Sequence, residues 1–257
     1  MKEYEHETRV FLDHAKPVMI RIDGKAFHTY TKGFQKPFDE RISTAMWETA
    51  IYLCKTVTGT KIAYTQSDEI TLFLNSYENE VSEPYYNNNK SKLESVIASK
   101  ATKRFNQVMM ERLIKEMAEQ GLSSTEIANT FLTKKSWAEF DARAFSLPKE
   151  EVISNFVWRK KDAIKNSVSM VAQANFSPKS LNGLNGLQLK ERLEKEKNII
   201  WDELPIWQQR GVAIVKTKEP KTVVYQGETI NVLRNVWKVD EQTPIFAKER
   251  ECIEQYV

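Results

Sequence analysis

Between Pro17 and Leu147 the spacing of apolar residues switches back and forth between two periods. The order of those switches restricts the fold more than any single motif does. Val18, Ile20 and Ile22 alternate and stop at Asp23-Gly24, which predicts a strand ending in a turn. Ile42, Ala45, Met46, Thr49, Leu53 and Val57 then recur at steps of three and four, the spacing of a helix with one buried stripe. Lys61–Tyr64 and Glu69–Leu74 predict two strands around a polar tip, Thr65-Gln66-Ser67-Asp68. Tyr85 to Lys90 is polar and aperiodic and reads as an exposed loop, after which Leu93, Val96, Ile97, Ala101, Val108, Leu113 and Met117 predict a long helix ending near Gly121. Ala138–Leu147, with Phe140, Ala142 and Ala144 alternating against Asp141, Arg143 and Phe145, predicts a fourth strand.

The resulting order, β-α-β-β-α-β, predicts an α+β fold of the ferredoxin-like type, an antiparallel sheet with both helices on one face and the other face open for function. Beyond Pro148 the pattern turns helical, over Glu150 to Gln173 and Leu187 to Lys197. Three β-like runs follow, Gly211–Lys216, Thr222–Tyr225 and Ile230–Leu233, with Gln226-Gly227 as a hairpin turn. Two units are therefore expected, 1–148 as the main domain and 149–257 as a helical and β-hairpin extension packed on it.

Composition removes several alternatives. With 41% hydrophobic and 28% charged residues among 257, the chain carries enough apolar surface for a core, which excludes intrinsic disorder. Cys54 and Cys252 lie far apart without metal-ligand spacing, which argues against a disulfide framework or a zinc site and points to the cytoplasm. No apolar run approaches the roughly eighteen residues of a membrane span, and the polar, acidic start Met1-Lys2-Glu3-Tyr4-Glu5-His6 has no export signal. The 38 basic and 35 acidic residues leave a net charge of only +3, which neither demands nor excludes a nucleic-acid partner.

In the predicted topology the third strand runs antiparallel beside the first, so Asp23 and Asp68 fall at one edge of the sheet. Two neighbouring carboxylates repel unless a cation sits between them. Hard oxygen ligands suit Mg²⁺ with a triphosphate supplying further oxygens, so the pair suggests two-metal phosphoryl transfer with the Gly24 carbonyl as an added ligand. Each acid alone is an ordinary turn residue. Their shared edge, with Arg21, Lys25, His28, Lys32, Lys36 and Lys92 near the same loops, is what marks them out.

Arg21-Ile22-Asp23-Gly24-Lys25-Ala26-Phe27-His28, Phe34-Gln35-Lys36-Pro37-Phe38-Asp39 and Ala63-Tyr64-Thr65-Gln66-Ser67-Asp68-Glu69, in that order and spacing, resemble the tRNA-His guanylyltransferase family and its Thg1-like relatives, the 3′-to-5′ nucleotide polymerases. Ser91-Lys92, Phe140-Asp141-Ala142-Arg143, Trp158-Arg159 with Asp162 and Asn166, Lys197-Asn198 and Gly211–Ile214 extend the likeness to roughly residues 5 to 217. The resemblance implies a polymerase/cyclase-type palm followed by family-specific helices, assembled as a homotetramer that embraces tRNA. It implies that Asp23 and Asp68 are the metal carboxylates for two Mg²⁺, with Gly24 a backbone ligand and Glu69 an adjacent catalytic acid. Asp23, Gly24, Lys25, Ala26, Phe27, His28, Ser67 and Asp68 would cradle the nucleotide, and Lys36, Asp39 and Lys92 would contact its triphosphate or support its loop. Phe38 and Thr65 depart from the usual Asn and Gly.

The implied chemistry extends the 5′ end of tRNA. ATP adenylylates a 5′-monophosphate, and the 3′-hydroxyl of GTP or another incoming nucleotide then attacks it. Ile164-Lys165-Asn166-Ser167 stands where enzymes dedicated to tRNA-His carry His-Ile-Asn-Asn, so the chain is most like the Thg1-like proteins and their template-directed tRNA repair. Non-templated guanylyl addition, a palm nucleotidyl cyclase and a non-catalytic RNA-binding module are the alternatives. The basic clusters Lys100 with Lys103-Arg104, Lys134-Lys135 and Lys160-Lys161, together with Arg159 and Asn166, are candidates for holding tRNA. Trp158 is expected in the core or an interface, and the residues from Thr222 onward in a hairpin and packed tail.

Overall fold

A computed structural model describes residues 1–76, 83–126, 129, 137–225 and 228–257. Its elements in chain order are α1 (Lys2–Glu7), β1 (Val18–Gly24), α2 (Phe27–Tyr30), α3 (Glu40–Thr56), β2 (Thr60–Gln66), β3 (Glu69–Leu74), α4 (Lys90–Glu119) and β4 (Phe140–Ser146). There follow α5 (Glu151–Asn175), α6 (Pro178–Leu181), α7 (Gly186–Lys197), α8 (Ile206–Arg210), β5 (Val212–Tyr225), β6 (Glu228–Asp240) and α9 (Glu251–Glu254). The six strands form one sheet in the order β4-β1-β3-β2-β5-β6, with every neighbouring pair antiparallel. The first four strands therefore carry the ferredoxin-like arrangement read from the sequence.

One face of the sheet, with Val18, Ile20, Ile22 and Leu72, packs on α3 and α4 through Met46, Leu53, Ile97 and Phe105. The opposite face was expected to be open, and it is not. Met19, Ile62, Tyr64 and Phe73 project from it and are covered by Val152, Ile153 and Phe156 of α5 and by Phe246 and Ile253 of the C-terminal segment. The reason is in the strands themselves. β3 is buried at all six positions, so a single covered face could not keep its apolar side chains from water. A third cluster, built on Val168, Val171, Leu193 and Trp201, joins α5 to α7.

Three other local expectations change. Tyr85–Asn88 is a short turn, with positive φ at Tyr86, Asn87 and Asn88, that is exposed at Tyr86 and Asn87 as expected, but Asn88 and Asn89 are buried, and Asn89 caps α4, its Oδ1 accepting from the Lys92 amide at 3.1 Å. The β-like runs after Gly211 are two long strands paired from Ala213↔Asp240 out to Val223↔Ile230. Only Val212, Ala213 and Ile214 of β5 also pair with β2, so the outer part of the hairpin has solvent on both faces and needs no apolar alternation. Gln226-Gly227 lies outside the described residues. Trp158 is 53% exposed, so it is not a core residue of this chain.

Phe246 seals the α5 face, with its ring edge-on to Tyr64 at 5.5 Å and to Phe156 at 5.8 Å between centroids. Phe246→Ala should cost about 3–5 kcal/mol, read as a fall in the urea midpoint at unchanged m-value.

Candidate active site

The site is built where β1 ends. Gly24 closes the strand, and a Cβ there would meet Cγ of Phe27 at 2.9 Å and Cβ of Asp68 at 3.0 Å, so only glycine lets the chain turn beneath that ring. Ala26 follows in the left-handed region at φ 48° and starts α2. Across from it, Ser67 at φ 50° and Asp68 make a tight turn between Gln66 and Glu69, which are paired in the β2–β3 register. The Gly24 amide donates to the Asp68 carbonyl at 3.1 Å, which ties the two turns together. β3 pairs Glu69 with Asp23, and β4 pairs Asp141 with the other side of Asp23. The shared edge expected for Asp23 and Asp68 is therefore present.

Burial raises the Asp23 carboxyl above the usual range and the facing Asp141 adds to the rise, opposed by Arg21, Arg143 and Arg159. Burial also raises Asp68, with Asp23 adding, against a hydrogen bond from the Ser67 hydroxyl at 3.0 Å. Among the described residues no hydrogen bond reaches the Asp23 carboxylate. Nor does any group of three or more His, Cys, Asp or Glu side chains there stand ready to hold a metal unaided. Two half-buried carboxylates and the Gly24 carbonyl form a hard, anionic and incomplete donor set. That set fits a divalent ion whose remaining ligands come from a phosphorylated substrate.

A cleft of about 530 Å³ opens from these acids. His28 and Lys36 also line it. Phe34, Phe38, Trp47 and Trp207 line its apolar part, and Trp207 meets Phe38 and Trp47 edge-on at 5.8 and 5.7 Å. Phe38, the departure from the family pattern, thus has a packing partner. Asp39 supports the loop: it accepts from the Gln35 and Arg41 amides, each at 3.0 Å, and from the Arg41 side chain at 3.0 and 2.7 Å, which lowers its pKa. The far wall is α5 with Asn166, Ser167, Met170 and Gln173, joined by Gln208 and Gly211. A Cβ at Gly211 would come within 2.8 Å of Gln66 Cβ, so this glycine lets the chain leave α8 against β2. Sequence reasoning named Asn166 only as a tRNA contact, gave Asp141 no site role, and missed Ser167, Met170, Gln173 and Gln208. The helical stripe carrying Asn166, Met170 and Gln173, and the strand register of Phe140-Asp141, were the signals available.

The family model described as tRNAHis guanylyltransferase matches residues 1–148, more than half of the chain. The chain belongs to that family. It is a nucleotidyltransferase of the palm type, and its relatives bear out the family reading over nearly the whole length. A probable tRNA(His) guanylyltransferase of Dictyostelium discoideum is 27% identical over 246 residues, which is 90% of this chain and 88% of that one. A solved bacterial tRNA(His) guanylyltransferase (Thg1)-like protein in complex with ATP is similar at a TM-score of 0.84 and 43% identity, over 100% of this chain and 96% of that one. A solved complex of such a protein with GTP gives 0.80 and 41% over the same shares.

Within this family frame, several candidate residues stand elsewhere than expected. Glu69 faces away from the cleft into a buried ion pair, Arg159 Nε donating to Oε1 at 2.7 Å and Nη2 to Oε2, so both oxygens are engaged. Lys25 is exposed and pairs with Glu139 at 2.7 Å, and Lys92 is exposed on α4 with its Nζ 5.8 Å from the Tyr86 ring centre. Neither lines the cleft. Of the proposed tRNA contacts, Arg159 and Lys160 are buried, and Lys160 donates to the Thr243 and Pro244 carbonyls with its pKa pushed down to about 7 by burial. Lys100 is held by the Thr56 carbonyl at 2.8 Å and the Tyr85 hydroxyl at 2.7 Å, and Arg104 by Glu48 at 3.0 Å. These four cations satisfy internal acceptors and so are not free to hold phosphates. Lys103 is exposed, and Lys134-Lys135 lie outside the described residues.

A carboxyl raised in the folded state favours folding while it is protonated, and that advantage is lost as pH rises through the folded pKa. Asp68→Asn should therefore raise metal-free stability at pH 7 by about 1 kcal/mol, with the gain shrinking as pH falls through the raised folded-state pKa and gone below the ordinary carboxyl value of about 4. Thermal melts across pH read this directly. A stability loss at pH 7 would show that the carboxylate is already neutralised within the fold.

Proposed function

We propose that the chain adds nucleotides in the 3′-to-5′ direction to the 5′ end of tRNA, as template-directed repair of truncated tRNA. The observation that carries this reading is the cleft that ends on Asp23 and Asp68. One wall of it can take a nucleotide, and the acids stand where a triphosphate and a polynucleotide end would meet. The ATP and GTP complexes of relatives more than 40% identical to this chain support a nucleoside triphosphate in that cleft.

The residues divide the work. Phe34, Trp47 and Trp207 supply apolar surface for a base, and Lys36 and His28, which also line the cleft, would pair with the phosphates. In the first step a 5′-monophosphate oxygen of the RNA attacks the α-phosphorus of ATP and pyrophosphate leaves. In the second, the 3′-hydroxyl of the incoming nucleotide attacks the activated 5′-phosphorus of the RNA and AMP leaves. Both are in-line displacements that depend on placing oxygens rather than on a protein nucleophile, so one pair of acids serves both. Asp23, Asp68 and the Gly24 carbonyl would hold Mg²⁺, which would polarise the phosphoryl oxygens. Ile164 stands where enzymes dedicated to tRNA-His carry the histidine of His-Ile-Asn-Asn, and that missing histidine supports repair over non-templated guanylyl addition.

Incubating 5′-truncated tRNA with labelled nucleotides, ATP and Mg²⁺ should place label at the 5′ end. Asp23→Asn and Asp68→Asn should each lower the rate by at least about a hundredfold while the folded fraction stays intact. Full-length tRNA-His should be a poorer acceptor than truncated tRNA. The reverse preference would assign guanylyl addition instead.

A further inference from the structure

Glu69 stands where the two acids of the site meet the sheet. It follows Asp68 directly, is the register partner of Asp23 on β1, and is also paired with Gln66 across the hairpin. Its own carbonyl accepts from Thr65 Oγ1 at 2.8 Å. Any shift of this residue moves both acids. Its side chain has one strong anchor, the Arg159 fork, with 7% of each side chain exposed. Thr71 Oγ1 adds a longer contact at 3.4 Å. The Trp158 ring lies over the guanidinium with its centre 4.5 Å away.

The anchor continues beyond Glu69. Arg159 Nη2 also donates to Asp162 Oδ2 at 3.1 Å, and that same oxygen accepts from Asn166 Nδ2 at 3.4 Å. Residues 159, 162 and 166 follow one another at steps of three and four along one face of α5, so the chain of contacts runs down the helix to the cleft wall. The tip bearing Asp68 and the wall bearing Asn166 are thus linked through four side chains. A buried ion pair is weak support for stability, because well-packed apolar groups of similar volume do as well or better. What the arginine fork adds is fixed geometry, since its two parallel bonds to a carboxylate leave little freedom at either end.

We propose that Arg159 is a positioning residue for nucleotidyl transfer: by clamping Glu69 and, through Asp162, Asn166, it sets the gap between the Asp68 tip and the nucleotide wall of the cleft. This rests on the nucleotidyl-transfer reading above. Arg159 touches no reacting atom. It acts by keeping Asp68 in register with the bound substrate, and a misplacement of about 1 Å at such a site can cost on the order of a hundredfold in rate.

Arg159→Lys keeps the charge and loses the fork. Its kcat for labelled nucleotide incorporation should fall at least about tenfold, with KM for the nucleotide within about twofold and ATP-binding stoichiometry unchanged. A role in folding alone predicts the opposite, kcat per ATP-binding site equal to wild type, and that result would overturn the proposal. Should Arg159→Lys fail to fold, Asp162→Ala and Asn166→Ala test the same linkage at more exposed positions. Their combined effect on kcat/KM should be no larger than that of the worse single change, whereas additive effects would overturn it. A wild-type chain that incorporates no label would count against the functional reading itself. An active wild type with an unimpaired Arg159→Lys would count against this inference alone.

Discussion

Like charge held at the end of an antiparallel sheet is the constraint on which the rest of the structure depends. Asp23 has Glu69 on one side and Asp141 on the other, and Asp68 is bound to its turn through the Gly24 amide. Such a cluster would be spread apart in a looser scaffold. Here the strand register and the two tight turns fix the backbone before the charges are counted, and the carboxyls respond by holding their protons more firmly than usual. Only one of the acids, Glu69, is neutralised at short range, by Arg159. Among the described residues Asp23 and Asp68 have no such partner, and under the proposed function a cation with a polyphosphate would supply one in both charge and ligand type.

The covering of both sheet faces follows from the same arrangement. If α5 did not lie on the second face, Tyr64 and Phe73 would be exposed, and there would be no helix from which Arg159 could reach Glu69 or Asn166 could face the cleft. The helix that completes the core is therefore also the wall of the site. Ser167 joins the two roles: it donates to the Gln208 carbonyl at 2.6 Å and accepts from Trp201 Nε1 at 3.0 Å, locking α5 to the segment that carries Trp207.

The strands and long helices were legible because their signal is local: alternation in Val18–Ile22 or the stripe from Ile42 to Val57 reports burial one residue at a time. The pairing of Asp23 with Asp68 was legible because topology alone places strand ends. What could not be read is which long-range acceptor a given cation meets. Lys100, Arg104, Arg159 and Lys160 look like solvated charges in sequence, yet each is used up by a carbonyl, hydroxyl or carboxylate at least fifteen positions away. Glu69 was misplaced for the same reason. Adjacency to Asp68 suggested a shared role, but Asp68 lies in the turn while Glu69 begins β3, and no local pattern names the arginine ninety positions on that takes its charge.

This separation of neighbours has a consequence for how the site can evolve. Asp68 and Glu69 are consecutive, but one lines the cleft and the other binds a buried arginine, so they answer to different demands. Substituting Asp68 removes a charge that the fold opposes, whereas substituting Glu69 strands the Arg159 guanidinium in a buried position, with a cost of about 3–5 kcal/mol. The acid that lines the cleft is thus expendable for folding, and the acid beside it is not. Loss of activity at the two positions would look alike in an assay of turnover, and only a measurement of folded protein tells the two causes apart.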